Sequence, residues 1–253
     1  MKKYFKLRIF NLVMGFFHLA QAVVMYLISN DFSLSINTNY LQFDPTTQQL
    51  QPVMEELIKV RLAPMVALFL LLSATAHFLI SFKPIYSWYA KNLKKGVNYA
   101  RWWEYSLSSS LMIVLIAMLV GMYDLSSLIL IFFLNMMMIL LGLMMELHNQ
   151  TTKKTDWTSF IFGCIAGIVP WITVALYLFG SGEGEYKAPD FVYWIFFTIF
   201  LFFNSFAGNM ILQYKKTGKW IDYLWGERVY IILSLVAKSA LAWQIFAGTL
   251  RPV

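Results

Sequence analysis

The chain has 253 residues, of which 59% are hydrophobic and only 13% are charged, so its composition excludes an ordinary soluble domain. Its net charge is +7, but the positive residues flank the apolar runs instead of forming one basic stripe, which argues against a nucleic-acid-binding surface. A single cysteine, Cys164, excludes a disulfide framework, and three scattered histidines give no metal-ligand spacing.

Seven mostly apolar runs follow one another along the chain, and each has the roughly 20 residues needed to cross about 30 Å of hydrocarbon. We predict membrane spans at 5–29, 55–82, 99–121, 125–148, 157–180, 191–214 and 223–249. Pro170 falls midway along the fifth span and should kink it. The pattern therefore predicts an all-α membrane protein, a seven-transmembrane-helix bundle that forms a single domain over residues 1–253.

Lysine and arginine are concentrated on one side of the predicted bundle. That side carries the residues before the first span and the connections after the second, fourth and sixth spans, whereas the opposite side is mainly acidic. By the positive-inside rule, the amino terminus lies in the cytoplasm and the carboxyl terminus outside. The predicted location is a cell membrane, which the chain crosses several times.

The connection from Asn30 to Pro52 is long and faces outward in this orientation. Residues 33–37 alternate in polarity and residues 40–43 follow a polar Thr38-Asn39 pair, which predicts a short β-hairpin with its turn at that pair. The segment is either a solvated loop or a cap or subunit contact, and the sequence leaves both interpretations open.

Lys238 lies deep in the last predicted span. A protonated lysine there costs roughly 2.5 to 3.5 kcal/mol on insertion scales, so such a residue is normally paired, neutralised or used covalently. In a dry pocket, its free amine becomes available to attack a carbonyl. Ser234 lies four residues earlier on the same helix face, where its hydroxyl can hydrogen-bond the lysine nitrogen.

Glu104, in the third span, is the only carboxylate that we expect well inside the membrane. Ser108 and Met112 follow it at four-residue steps on the same helix face. Because helical side chains lean toward the amino-terminal end, Lys238 should lean toward Glu104 across about 10 Å of depth. The pair could serve only to fix helix packing, although buried ion pairs are poor stabilisers and intramembrane charges are by default functional.

Polar and aromatic residues of the other spans supply further candidates. His18 and His77 lie at similar depth; each could be an ordinary core histidine, but together with Glu104 they predict a polar cavity that could take a proton. Methionine and aromatic stripes are usually core, yet they could also wall a long apolar ligand. The candidates for such a wall are Met136, Met137, Met138, Trp171, Phe202, Phe203, Phe206 and Trp243, with Asn135 as a polar member.

Seven spans with a lysine in the last and a carboxylate in the third resemble a microbial-type retinal protein. The motifs Arg101-Trp-Trp-Glu104-Tyr-Ser-Leu-Ser-Ser and Ser234-x-x-x-Lys238-x-Ala-Leu-Ala-Trp243, with the inward amino terminus, resemble the heliorhodopsin family specifically. The resemblance covers essentially the whole chain, including the long outer loop and the basic Gln213-Tyr-Lys-Lys-Thr-Gly-Lys-Trp220 connection.

This resemblance implies that Lys238 carries retinal, all-trans in the dark, as a protonated Schiff base with Glu104 as its counterion. It implies that Ser234 tunes the nitrogen and that Arg101 is the family's arginine one turn from the counterion. It further implies that Ser108, Ser109, Met112 and Asn135 line the retinal pocket and that His18 and His77 border a cytoplasmic cavity. A homodimer with the first outer loop at the subunit contact is also implied.

These features favour a light sensor, not an enzyme, that signals to a cytoplasmic partner through a conformational change. An outward proton pump would need carboxylates on both sides of the nitrogen, and the outer half offers none that can be placed in a span. A light-driven ion transporter or light-gated channel on the same scaffold remains an alternative, as does a transporter or receptor without retinal.

Overall fold

Long apolar helices make up most of the structure. The computed structural model describes residues 2–182, 184 and 187–252, and seven helices in this part of the chain are long and apolar enough to cross a membrane. They are α1 (Lys2–Ile28), α2 (Leu62–Leu79), α4 (Tyr99–Leu119), α5 (Leu125–His148), α6 (Thr158–Gly180), α7 (Asp190–Tyr214) and α8 (Tyr223–Ile245). A short helix, α3 (Ile85–Lys94), precedes α4, and a hairpin of two antiparallel strands, β1 (Ser33–Asp44) and β2 (Gln49–Arg61), connects α1 to α2. The predicted seven-helix bundle with a hairpin is therefore confirmed.

The turn of the hairpin lies farther along the chain than the sequence predicted. The structure places it at residues 45–48, so the predicted turn at Thr38 and Asn39 is wrong. Asp44 stabilises the observed turn, because its carboxylate accepts hydrogen bonds from the Thr46 N–H at 2.8 Å and from the Thr47 hydroxyl at 2.9 Å. Thr38 and Asn39 instead lie within β1, where both pair with residues of β2.

The second crossing helix begins at Leu62 and not at Glu55 as predicted. Residues 55–61 belong to β2 and continue its pairing with β1 as far as Arg61. A short, partly apolar run of this kind fits a strand or a buried helix equally well, so its periodicity could not separate the two. Pro64 lies in the first turn of α2, where a missing backbone N–H is tolerated.

Contacts at both ends of the bundle tie α1 to α8. At the end where α1 begins, which we call the amino-terminal face, Lys3 Nζ lies 2.8 Å from the Asp222 carboxylate. The hydrogen bond from Lys3 lowers the pKa of Asp222 below its ordinary value. At the opposite face, the Asn30 N–H donates to the Leu250 carbonyl at 2.9 Å. The first and last crossing helices therefore run in the same direction.

α4 is the most deeply buried crossing helix. In an 18-residue apolar stretch of α4, 67% of the residues are buried, compared with 28% for α1. Leu115 and Ile116 are fully buried and belong to the main hydrophobic core, which also takes side chains from the other crossing helices. Polar residues placed early on α4 are consequently enclosed by the bundle and not exposed to lipid.

Asp124 caps the start of α5, since its carboxylate accepts hydrogen bonds from the N–H and the hydroxyl of Ser127, both at 2.8 Å. We expect Asp124→Ala to cost about 0.5–2 kcal/mol, because the first turn of α5 loses its side-chain acceptor. Thermal unfolding of the purified protein in detergent measures this loss. Glu55→Ala is the control, since the exposed carboxylate of Glu55 bonds only a surface side chain, Gln42, at 2.9 Å. Equal thermal unfolding midpoints for the two variants would contradict the assignment of Asp124 as the cap of α5.

Candidate functional site

A buried lysine and a buried glutamate meet inside the bundle. The side chains of Lys238 on α8 and Glu104 on α4 are 4% and 9% exposed, and Lys238 Nζ lies 2.9 Å from Glu104 Oε1. Nζ also donates a hydrogen bond to the Ser234 hydroxyl at 2.9 Å, one turn earlier on α8. The Ser73 hydroxyl of α2 donates to Glu104 Oε1 at 2.6 Å. Each charge therefore has an opposite charge and a hydroxyl partner, as burial in an apolar bundle requires.

A large apolar cavity begins at Lys238. Its volume of ≈ 420 Å³ lies within the roughly 300–1,000 Å³ of typical small-molecule sites, and side chains from α4 to α8 line it. The predicted residues that line it are Ser108, Ser109, Met112, Met138, Trp171, Phe203, Phe206, Ser234 and Lys238. The cavity can therefore accept an apolar ligand of this size that is joined covalently to Nζ through a carbonyl carbon.

Three glycines lie in the cavity wall, and two of them have no room for a side chain. Gly142 of α5 and Gly163 and Gly167 of α6 all line the cavity. A Cβ atom added to Gly142 would lie 2.3 Å from the Trp102 ring, and a Cβ added to Gly167 would lie 2.3 Å from Met138 Sδ. Contacts this short do not occur in packed interiors, so a side chain at either position would displace a wall of the cavity.

Trp171 organises an aromatic part of the wall. Its ring packs edge-to-face against Phe196, Phe200 and Phe203, with centroid distances of 5.7, 5.2 and 5.4 Å. Trp171 is only 5% exposed, and Phe200 and Phe203 line the cavity with it. These rings form a rigid apolar surface between α6 and α7.

Five predicted members of the wall lie outside the cavity lining: Asn135, Met136, Met137, Phe202 and Trp243. Asn135 is buried, and its amide donates to the hydroxyls of Ser109 at 2.9 Å and Ser110 at 3.1 Å, so it orients a lining residue without lining the cavity itself. Trp243 is 40% exposed and its indole N–H donates to Gln21 of α1 at 3.1 Å. Trp243 follows Lys238 by five residues, which corresponds to a rotation of about 140° around α8, so its side chain points away from the cavity.

A smaller cavity lies next to Glu104 on the side of the amino-terminal face. Its volume is ≈ 30 Å³, and Glu104, His77 and Arg101 contribute to its lining. His77 Nδ1 lies 2.8 Å from Asn11 Oδ1. His18 stacks on His77 with ring centroids 5.6 Å apart, and its two buried ring nitrogens have no hydrogen-bond partner within the described part of the chain. The structure thus gathers the predicted polar residues His18, His77 and Arg101 near Glu104.

Two further carboxylates are buried beside Arg101. The guanidinium group donates to Glu146 at 2.6 Å and also to Glu227, and all three side chains are at most 4% exposed. That Glu104 is the only carboxylate well inside the membrane stays a prediction, because it concerned depth in the bilayer and not burial within the protein. Glu146 and Glu227 lie near helix ends, where charged residues usually face water or headgroups, so the sequence did not single them out. Arg101 could have pointed to them, because a guanidinium group buried on the central helix α4 needs acidic partners that are buried with it.

The heliorhodopsin family model matches residues 7–250 of the chain. No curated protein matches the chain. The matched segment contains Lys238, Glu104 and every other residue that lines the two cavities.

We expect Gly142→Ala and Gly208→Ala to change stability in opposite directions, although both glycines are helical. At Gly142 the added Cβ overlaps the Trp102 ring, so the variant should lose about 1–3 kcal/mol through overpacking. At Gly208 the added Cβ has no neighbour within 4 Å outside the adjoining backbone of its own helix, so alanine should add up to about 1 kcal/mol through helix propensity. Thermal unfolding of both purified variants beside the parent protein measures the difference. A Gly142→Ala protein as stable as the parent would contradict this account of the cavity wall.

Proposed function

The chain belongs to the heliorhodopsin family, and we propose that Lys238 is the residue that carries its retinal, with Glu104 as the counterion. The family implies a retinal-binding, light-sensing membrane protein that is not a classical enzyme. The attachment site is supported by one observation above the others: Lys238 Nζ lies 2.9 Å from the Glu104 carboxylate at the wall of an apolar cavity.

The residues around the large cavity fit retinal by size and chemistry. Retinal would supply an aldehyde, which with the ammonium form of a primary amine would give a protonated Schiff base and one water, and a polyene that light can isomerise. Among the described residues that line the cavity, Lys238 is the only lysine. Met112, Trp171 and Phe203 line the cavity and would hold the polyene and exclude water from it. The dark isomer in this proposal is all-trans.

Glu104 stabilises a positive charge at the Lys238 nitrogen. An opposite charge within about 4–6 Å favours the charged form of a group, and a dry site strengthens that attraction. The hydroxyls of Ser73 and Ser234 complete the hydrogen bonding of the pair. A displacement of the nitrogen from this carboxylate after light absorption weakens the attraction and frees the proton to move toward the polar residues His18 and His77.

The distribution of acidic residues supports sensing over pumping. In the described part of the chain, the buried carboxylates Glu104, Glu146 and Glu227 all lie between Lys238 and the amino-terminal face. At the opposite face, Asp124 caps α5 and Asp190 is an exposed partner of Lys187. An outward pump needs a proton acceptor on that second side. The proposed output is therefore a conformational change without net ion transport.

Basic residues support an orientation with the amino terminus inside the cell. The amino-terminal face and its connections carry Lys3, Lys6, Arg8, Lys83, Lys91, Lys94, Lys95, Lys153, Lys154, Lys215, Lys216, Lys219 and Arg228. The opposite face carries Lys59, Arg61, Lys187 and Arg251. By the positive-inside rule, the amino-terminal face is cytoplasmic in the proposed cell-membrane location, and the signalling partner docks there.

An exposed apolar face of the hairpin supports a homodimer. Leu41, Phe43, Leu50 and Met54 project from the same face of the two strands, because directly opposed residues and alternate residues share a face. These four side chains are between 57% and 69% exposed. Contiguous exposed apolar surface commonly marks a protein contact, and in the proposed dimer this face packs against a second copy of the chain.

Addition of retinal to the purified protein should produce a visible absorption band that Lys238→Ala abolishes, because the variant has no amine at the cavity wall. Lys187→Ala is the matched control, since Lys187 is exposed and pairs with Asp190 at the surface. Absorption spectra before and after denaturation in acid show whether the chromophore is covalently bound. A parent protein that stays colourless, or a Lys238→Ala protein that retains covalent chromophore, would contradict the proposal.

Illumination of cells that contain the pigmented protein should leave the external pH unchanged, because the described structure has buried carboxylates on one side of Lys238 only. Measurements with and without a protonophore distinguish transport from local proton release. A light-dependent pH change that Glu104→Gln removes would support the alternative of a light-driven transporter or light-gated channel.

Replacement of Leu41 and Met54 together by lysine should convert the proposed dimer to a monomer, because the substitutions place two charges in an apolar contact. The control carries Gln42→Lys and Gln51→Lys, which lie directly opposite each other on the other face of the hairpin. Mass measured by light scattering in detergent gives the result. If the protein with lysine at Leu41 and Met54 remains a dimer, or if the parent is a monomer, this interface is excluded.

A further inference from the structure

Arg101, Glu146 and Glu227, which we call the arginine cluster, contain two carboxyl groups and one cation. Their side chains are 4%, 1% and 0% exposed. Apart from histidine, the only other cation among the described residues that line the two cavities is Lys238, which Glu104 already neutralises. If every carboxyl group were ionised, one negative charge would remain uncompensated in an apolar interior, which is strongly unfavourable. The bundle therefore needs one additional proton in this region.

Hydrogen bonds distinguish the two carboxyl groups of the arginine cluster. Glu146 accepts from four donors: the Asn98 N–H at 2.9 Å, the Arg101 guanidinium at 2.6 Å, the Trp102 indole N–H at 2.7 Å and the Tyr223 hydroxyl at 3.1 Å. An ionised carboxylate offers about four acceptor positions, so these donors fill them. Glu227 accepts from two donors, Arg101 and the Asn98 side-chain amide, the latter at 2.6 Å. Glu227 is therefore the carboxyl group with capacity for a proton.

Glu227 lines the small cavity that also borders Glu104. The ≈ 30 Å³ of this cavity can hold two or three waters, at roughly 10–15 Å³ for each. The other titratable groups that line it are His77, Tyr89, Arg101, Glu104 and Tyr105. Glu146, Tyr223 and Tyr230 surround Arg101 on the remaining sides. An O–H group on Glu227 can thus donate into a space that it shares with the carboxylate of Glu104.

We propose that Glu227 is a proton-binding site that is occupied in the resting protein. Glu227 is a carboxylic acid whose O–H faces the small cavity, and Glu146 is the ionised partner that neutralises Arg101. The bound proton balances the charges of the arginine cluster. Because this site is distinct from the contact between Lys238 and Glu104 and does not require retinal, it can be tested whether or not the protein binds a chromophore.

Two isosteric substitutions distinguish the two carboxyl groups. Glu227→Gln replaces a neutral acid with a neutral amide, so its thermal unfolding midpoint should remain close to that of the parent. Glu146→Gln removes the charge that neutralises Arg101, so its midpoint should fall much further, or the variant should fail to fold. Equal losses, or a larger loss for Glu227→Gln, would overturn the proposal.

Infrared spectra of the full chain without retinal provide a second test that does not depend on Glu146→Gln folding. The parent should show the carbonyl stretch of a protonated carboxylic acid at neutral pH, and this band should shift to lower frequency in D₂O. Glu227→Gln should lose the band, whereas the exposed hairpin variant Glu55→Gln should retain it. An acid band that persists in Glu227→Gln would overturn the proposal. So would the absence of any acid band from the parent, which would place the additional proton on His77.

Discussion

The contact between Lys238 Nζ and the Glu104 carboxylate constrains how the helices of this bundle can pack. Neither charge could be buried alone, because the desolvation of an unpaired ion in an apolar interior costs several kcal/mol. Glu104 comes from α4 and Lys238 from α8, so these two helices must meet at matching depths to bring the groups within 2.9 Å. Ser73 of α2 and Ser234 complete the hydrogen bonding. Any ligand attached at Nζ is therefore placed next to a fixed negative charge.

Lys238 also separates two unlike regions of the interior. Toward the amino-terminal face, the small cavity and the arginine cluster concentrate histidine, carboxyl and guanidinium groups. The large cavity is walled mainly by aromatic, methionine and glycine residues, which offer few hydrogen-bond partners. A nitrogen at this boundary can exchange its partners after a small displacement. A change of charge there acts first on Glu104 and on the groups that share the small cavity with it, such as His77 and Glu227. This asymmetry suits a sensor whose response emerges at one membrane face.

The amine could be predicted from the sequence because it interrupts an apolar run far from its ends, and Glu104 because it is the carboxylate that the sequence places inside an apolar run at a depth Lys238 can reach. Ser234 could be predicted with them, since a four-residue step places it on the same face of α8. Apolar candidates carried a weaker signal, because Trp171 and Trp243 both fit a hydrophobic helix although only Trp171 lines the cavity. The same ambiguity misplaced the start of the second crossing helix. The partly apolar residues 55–61 pair with β1 but are largely exposed on both faces, so no alternation of apolar and polar residues marks them as a strand.

Hydrophobicity and length alone determined that the chain forms seven crossing helices, because each apolar run must satisfy its own backbone within the bilayer. The isolated positions of Lys238 and Glu104 determined which side chains had to be paired. Only the tertiary structure decided that Arg101 binds Glu146 and Glu227. These acids lie near helix ends, where the same sequence is compatible with a side chain in the headgroup region or one turned inward. Their burial depends on how α4, α5 and α8 are rotated against one another, and that rotation is set by packing among all the helices.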